Sequence, residues 1–276
     1  MNRKIIETAE KHHGVTTFGL AVSVASLDGA RSELRSDRWV RMAGAYRLRG
    51  APQTWEQSVA ALTLAAGPSA AASHRSAAAL LGIPGFERSG PAEVTTPRTR
   101  RHRDPTTIVH RWRPFPDQHL TVVEGIVTTR VARTLVDLAG VLHPRRTERA
   151  VDSALGARMV ALGSLHATFR ELAGRGRKGT AAMRAILEAR PEGYAAPESE
   201  LEVRFLALLR DAGLPEPVRQ LNAGDDDGWI GRVDFAYPAQ RVLIELDGRA
   251  YHTAKLDRDA DRTRDARLRG AGWRTV

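Results

Sequence analysis

Two strand-like segments near the carboxyl end, Trp229–Tyr237 and Arg241–Asp247, are separated only by Pro238, Ala239 and Gln240. A connection that short commits the two segments to antiparallel pairing. The second segment is apolar through Leu243 and Ile244 and then carries two carboxylates, Glu245 and Asp247. The two-residue period of a strand turns both to one side, and Asp234 lies on the neighbouring strand. Three carboxylates can thus meet at one end of a small sheet. Oxygen donors of that kind suit a hard octahedral cation, Mg²⁺ or Mn²⁺. With no cysteine in the chain and only His252 close by, zinc fits this cluster poorly. A lone acid at a strand end is ordinarily just solvated; the signal lies in the order helix, strand with Asp, strand with Glu-x-Asp, helix, strand.

The flanking segments extend this reading. Ser199 can cap a helix through Leu201, Phe205, Leu208 and Leu209 to a stop at Gly213, with Glu200 and Glu202 in its first turn. An extended stretch from Val218 to Asn222 and a turn at 224–228 follow. His252, just past Gly248, has an ordinary pKa of about 6.5 that suits protonation of a leaving oxygen. A helix from Asp259 to Arg269 offers Arg262, Arg264, Arg267 and Arg269 to phosphate, although Asp261 and Asp265 can equally take them into helical ion pairs.

Charge separates this region from the rest. Residues 191–276 hold 13 Lys/Arg and 16 Asp/Glu, a net of −3, which leaves +13 for residues 1–190 within an overall +10. A basic surface points to a polyanionic partner, because cations that neutralise phosphates release condensed counterions. Abundant Ala and Arg with scarce Lys is also the imprint of a GC-rich coding sequence. At 276 residues the chain has room for two domains or more. The absence of cysteine excludes disulfides, iron–sulfur clusters and thiolate zinc sites. The amino terminus does not read as a signal peptide, and the longest apolar stretches, such as 58–66, are too short to span a bilayer. The expectation is a soluble cytoplasmic protein with no membrane partner.

Residues 1–50 predict three short helices, 2–13 with a stop at Gly14, Phe18–Val24 and Leu27–Arg38, followed by a hairpin from Trp39 to Leu48 about a central Gly. That order describes a winged helix-turn-helix. Its third helix would present Arg31, Ser32 and Arg35 to a major groove, with Arg38 on the same side and Arg41 and Arg47 of the wing near phosphate. A helical packing module with solvated arginines remains the alternative.

Residues 51–190 predict a middle mixed α/β region. Helices are expected over 55–82, with Ser73, His74, Arg75 and Ser76 heading the second of them, and strands at 93–96, 106–112 and 120–123. His74 is expected to pack or cap, since no acidic partner lies near it in sequence. The stretch 98–113 carries six arginines against Asp104, with Trp112 beside them, and suits either a phosphate-tracking surface or an exposed loop. A helix capped by Thr128 should run to Ala139, three more helices should follow, and Gly174–Gly179 is expected to be a flexible basic loop. The boundary of the last domain is placed in the linker 191–197.

The run Gly231 to Pro238, then Val242 to Gly248, Tyr251-His252, Asp261-Arg262, Arg264-Asp265, Leu268 and Gly272-Trp273 resembles the small nuclease domains similar to very-short-patch repair endonucleases, within the PD-(D/E)XK superfamily. The resemblance implies a restriction-endonuclease-like α/β domain over residues 191–276 that hydrolyses DNA phosphodiester bonds with Mg²⁺ or Mn²⁺. Asp234 and Glu245 would hold the metal, Asp247 would complete its shell, Glu202 would contribute from the helix, and His252 would assist proton transfer. The superfamily's third motif position is typically Lys and here is Asp247, so Lys255 or Arg262 would have to supply that charge. Residues 1 to 190 are similar, more loosely, to the winged-helix region of AbiEi-type abortive-infection antitoxins, through the hairpin 41–48, Ser73–Ala77 and Thr128–Leu138. That likeness implies DNA binding. It also supplies the alternative function, a non-catalytic regulator or antitoxin with a cognate toxin as partner and a nuclease fold kept as scaffold. The expected fold is therefore multidomain, α+β or α/β, in three parts at 1–50, 51–190 and 191–276.

Overall fold

The computed structural model describes residues 2–42, 44–97, 107–112, 116–191, 194, 200–225, 228–246, 264 and 266–276. Those residues form a mixed α/β structure with three sheets among them. The chain divides into two compact units, residues 1–150 with 160–189, and residues 151–159 with 190–276.

The first unit opens with α1 (Arg3–Glu10), β1 (Val15–Thr16), α2 (Phe18–Val24), α3 (Leu27–Leu34), β2 (Trp39–Arg41) and β3 (Tyr46–Leu48). Local chemistry sets the boundaries. Gly14, at φ +75, ends the first helical stretch, Thr17 caps α2 through its Oγ1 to the Leu20 N–H (3.2 Å), and Ser26 caps α3 at Gly29 (3.1 Å). Ile5, Ala9, Ala21, Ala30 and Leu34 of the three helices and Trp39 of β2 form one buried cluster. β3 lies between β1 and β2 in an antiparallel three-stranded sheet. The third helix is shorter than expected because Glu33 captures Arg38 and Trp39 beyond its end. The buried Glu33 carboxylate accepts from the Asn2 N–H (2.7 Å), from Arg38 Nε and Nη2 (2.9 and 3.1 Å) and from Trp39 Nε1 (3.3 Å). The Arg38 hydrogen bonds lead in holding the Glu33 carboxyl down at about 2, against the opposing effect of burial.

The rest of this unit is built on a five-stranded sheet of order β6-β5-β4-β8-β7, formed by β4 (Ala71–Ala72), β5 (Ala92–Thr96), β6 (Thr107–Arg111), β7 (Leu120–Val123) and β8 (Ile126–Thr129). α4 (Trp55–Ala66) and α5 (His74–Leu81) join it. Val59, Ala60 and Leu62 of α4 and Leu80 of α5 pack with Ala72, Ala92, Val94 and Ile126 of the strands. The helix expected from Thr128 begins only at Val131. Thr128 belongs to β8, and its hydroxyl donates back to the Ile126 carbonyl (2.9 Å) instead of capping. α6 (Val131–Leu138), α7 (Pro144–Gly156), α8 (Leu162–Leu172) and α9 (Thr180–Glu188) complete the helices up to residue 189.

The segment 174–179, expected to be flexible, is anchored. Arg177 donates to Asp137 Oδ1 (2.6 Å) and to the Leu172 carbonyl (2.8 Å). Gly179 sits at φ +82, with the Ala139 carbonyl carbon 2.3 Å from where a Cβ would stand. Glycine at that position allows the loop to lie directly on the end of α6.

The second unit contains α10 (Glu200–Asp211) and an antiparallel meander of β9 (Val218–Asp225), β10 (Gly228–Tyr237) and β11 (Val242–Ile244). β12 (Arg274–Thr275) pairs parallel to β11, giving the order β12-β11-β10-β9. Residues 266–270 are helical. Ala223, Ile230, Val233, Ala236, Leu243 and Leu268 form its core. Segment 151–159 is held into the unit by a buried bidentate pair, Arg190 Nε and Nη2 to Asp152 (2.8 and 2.6 Å), with the Tyr194 hydroxyl donating to the same carboxylate (2.8 Å). No helix among the described residues is long and apolar enough to cross a membrane.

Candidate functional site

Among the described residues, three groups of side chains are candidates for a functional site. The first is the outer side of α3. Its inner side buries Ala30, Glu33 and Leu34, which leaves Arg31, Ser32 and Arg35 exposed. Asp28 lies 3.7 Å from Arg31, but both side chains are more than half exposed and such a pair holds little energy. The other basic residues expected near phosphate divide. Arg41 is exposed, whereas Arg47 is half-buried and donates to the Ala51 carbonyl (3.1 Å). Arg38 is bound to Glu33. The hairpin does not project freely either, since Met42 and Ala45 pack with Ala61 and Leu64 of α4 and the Cβ of Ala65 comes to 3.0 Å from a Cβ placed on Gly44.

The second group is the carboxylate pair of the C-terminal sheet. Phe235 pairs with Ile244, and continuing that register by one residue sets Glu245 opposite Asp234 on one face. Asp234 Oδ2 accepts the Leu246 N–H at 3.0 Å. Glu245 is met by both terminal nitrogens of Arg264, one at 3.3 Å, and Arg264 also donates to the Arg232 carbonyl (3.1 Å). Gly231 permits this approach, because a Cβ there would stand 2.7 Å from Arg264 Nε. Arg264, expected to contact phosphate, is thus engaged at the carboxylate pair. Glu202 is buried on α10, which rests through Phe205 on Phe235 with ring centroids 5.1 Å apart. Strand alternation turns Phe235 and Asp234 to opposite faces, so the helix that carries Glu202 packs on the far side from the pair. Asp247, His252, Lys255 and Arg262 lie outside the described residues.

The third group was not foreseen. His74 opens α5, Glu93 lies in β5 and His110 in β6, and one ligand atom from each comes within 4.8 Å of the others. The parallel register Thr95↔His110 sets Glu93 and His110 on the same face of the sheet. His110 Nε2 is 3.2 Å from Glu93 Oε2, and Arg75 Nη1 donates to Glu93 Oε1 at 2.7 Å. The imidazoles of His74 and His110 stack with centroids 3.5 Å apart. His74 Nδ1 bonds to Ser73 Oγ at 2.9 Å, and Thr95 Oγ1 donates to the same oxygen at 2.8 Å. Burial first, and then His110, push the His74 imidazole down to about 3, so it is neutral at ordinary pH. Burial would raise the Glu93 carboxyl, but His110 and Arg75 together hold it below the usual carboxylate range. The packing role expected of His74 therefore holds only in part: it is buried, and an acid and a second histidine distant in sequence are brought beside it.

Beyond this cluster lies a buried charge network. Asp137 accepts from Arg133 Nε (2.8 Å) and Arg177 Nη2 (2.6 Å), and the Arg177 guanidinium lies 4.2 Å from the centroid of the Trp112 ring. Trp112 and its basic neighbour Arg177 are thus tied into the fold.

No protein-family model matches the chain. A crystal structure of the Rv2827c protein from Mycobacterium tuberculosis covers 68% of this chain and 81% of its own at 15% identity and a TM-score of 0.31, too loose a likeness to carry an argument. Two uncharacterized M. tuberculosis proteins, MT2308 of strain CDC 1551 and Rv2248 of strain H37Rv, are each 30% identical to it over 218 residues, covering 79% of this chain and 77% of theirs. At that identity and coverage, the chain belongs to the protein family that includes MT2308 and Rv2248.

Proposed function

We propose that the chain is a DNA-binding protein that sets α3 into the major groove of a duplex. The observation that carries this reading is the order α1-β1-α2-α3-β2-β3, closed by an antiparallel β1-β3-β2 sheet, with Arg31, Ser32 and Arg35 exposed on the third helix. This order supports a winged helix-turn-helix reading, in which the third helix reads base edges while flanking cations meet phosphate. The +13 balance of residues 1–190 supplies the non-specific attraction that such docking needs. With its hairpin packed on α4, recognition rests on the helix and on Arg41 rather than on a projecting wing.

The test is fluorescence anisotropy of a labelled duplex with the full chain over a range of salt concentrations. Arg31→Ala/Arg35→Ala is expected to weaken binding by about tenfold or more and to flatten the plot of log affinity against log salt by about 2. Binding that is insensitive to salt, or unchanged in the double variant, contradicts the proposal.

A second reading adds hydrolysis of the bound DNA, supported by the facing of Asp234 and Glu245 and by the order α10, three antiparallel strands, helix and parallel β12. Carboxylate oxygens on adjoining strands fit a hard cation, and Asp234 and Glu245 are the residues that would hold it. A bound Mg²⁺ would polarise a phosphoryl oxygen and acidify a water there. Glu245 must first release Arg264. A regulator working with a cognate toxin requires only the binding half of the molecule.

A further inference from the structure

We propose that His74, Glu93 and His110 form a binding site for one divalent transition-metal ion of the zinc class, with a coordination position left open to an anionic oxygen ligand. Two imidazoles and one carboxylate are a borderline-soft donor set, which selects zinc-like ions over the hard Mg²⁺ that suits the Asp234–Glu245 pair. The three donor atoms already lie within 4.8 Å of one another, and each comes from a different regular element, α5, β5 and β6.

The supporting shell is that of a ligand site. A metal-bound histidine is ordinarily fixed by a hydrogen bond at its other ring nitrogen, and a ligating carboxylate by a donor on its outer oxygen. Ser73 Oγ, itself held by Thr95, engages His74 Nδ1 and leaves Nε2 for the ion. Arg75 engages Glu93 Oε1, so Oε2, which now meets His110 Nε2, is the oxygen that an ion between the two would take. His74 also stands at φ +51, a left-handed backbone that a non-glycine residue adopts at a cost, and strain of this kind gathers where a side chain is aimed for a purpose.

Two features say how the ion is taken up. His74 and Glu93 are buried, while the His110 side chain is 22% exposed, so His110 marks the side from which an ion enters. Its ring must also tilt out of the stack, because parallel rings cannot aim both lone pairs at one point. A divalent ion held by two neutral imidazoles and one carboxylate keeps one positive charge, so the open position calls for an anion, either hydroxide or the oxygen of a carboxylate or phosphate.

The experiment is calorimetric titration of the metal-free full chain with Zn²⁺, together with the visible ligand-field spectrum of the Co²⁺ form. One equivalent is expected to bind, and His110→Ala, which leaves the β5–β6 backbone pairing in place, should weaken it by about tenfold or more and change the Co²⁺ spectrum. Asp234→Ala should leave both unchanged. Absence of stoichiometric Zn²⁺ binding overturns the proposal, as does equal affinity in His110→Ala or a Co²⁺ spectrum that this substitution leaves alone.

Discussion

Asp137→Asn is expected to lower the stability of the first unit by about 3–5 kcal/mol, measured as a shift of its transition in urea or heat. The substitution keeps the shape of the side chain and removes only its charge. Asp137 is 6% exposed and is shared by Arg133, which is 1% exposed, and by Arg177, whose side chain is 9% exposed. Without the carboxylate the two guanidiniums lose the charge they share in a low-dielectric interior, and that desolvation dominates the loss. Burial pushes the Asp137 carboxyl up from its ordinary value while Arg133 and Arg177 pull it down, and burial lowers the Arg177 guanidinium from its own. The network also pins Gly179 and its loop against the end of α6, so the effect should extend to hydrogen exchange in α9. Breaking the exposed Arg3–Glu7 pair by Arg3→Ala serves as the contrast, with a change within about 0.5 kcal/mol.

Asp234→Ala is expected to abolish Mg²⁺-dependent cleavage of supercoiled plasmid, a fall of about a thousandfold or more, if the second unit hydrolyses DNA. An ion held there would supply several kcal/mol of transition-state stabilisation, and each 1.4 kcal/mol or so is a factor of ten in rate. Arg264 makes the prediction more specific. Its guanidinium neutralises Glu245, so Arg264→Ala should lower the Mg²⁺ concentration needed for half-maximal cutting. Cutting that survives Asp234→Ala ends the hydrolytic reading. An absence of cutting by the unaltered chain does the same.

The sequence showed the elements where local chemistry is decisive. Gly14, Thr17 and Ser26 delimit α1 to α3 within a few residues, and the short turn at 238–240 dictated the β10–β11 pairing and with it the facing of Asp234 and Glu245. It failed where structure comes from distant partners. β1 and β4 are two residues each, too short to show a period, and exist because β3, β5 and β8 supply their hydrogen bonds. Thr128 and Thr129 look like a helix cap because the side chains that favour caps also favour strands, and pairing with β7 decided between the two. The His74–Glu93–His110 cluster stayed hidden for the same reason. Glu93 and His110 are 17 residues apart on strands joined across an arginine-rich stretch, and only their parallel register makes them neighbours. Alternation within 92–96 and 107–111 was the available signal, since it sets the acid and the histidine on one face once the two strands are paired. Arg177 was masked by the glycines around it, which suggested a free loop although Gly179 serves close packing.

The proposed function turns most on α3 entering a DNA groove. The chain contains no cysteine, so Ser32→Cys supplies a single thiol on the exposed side of that helix for a tethered iron–EDTA cleavage reagent. With the full chain bound to a duplex, a helix seated in the groove should give a compact pattern of strand cuts on both strands, offset across one groove and lost at high salt. Cutting no stronger than that of the same reagent free in solution would contradict it.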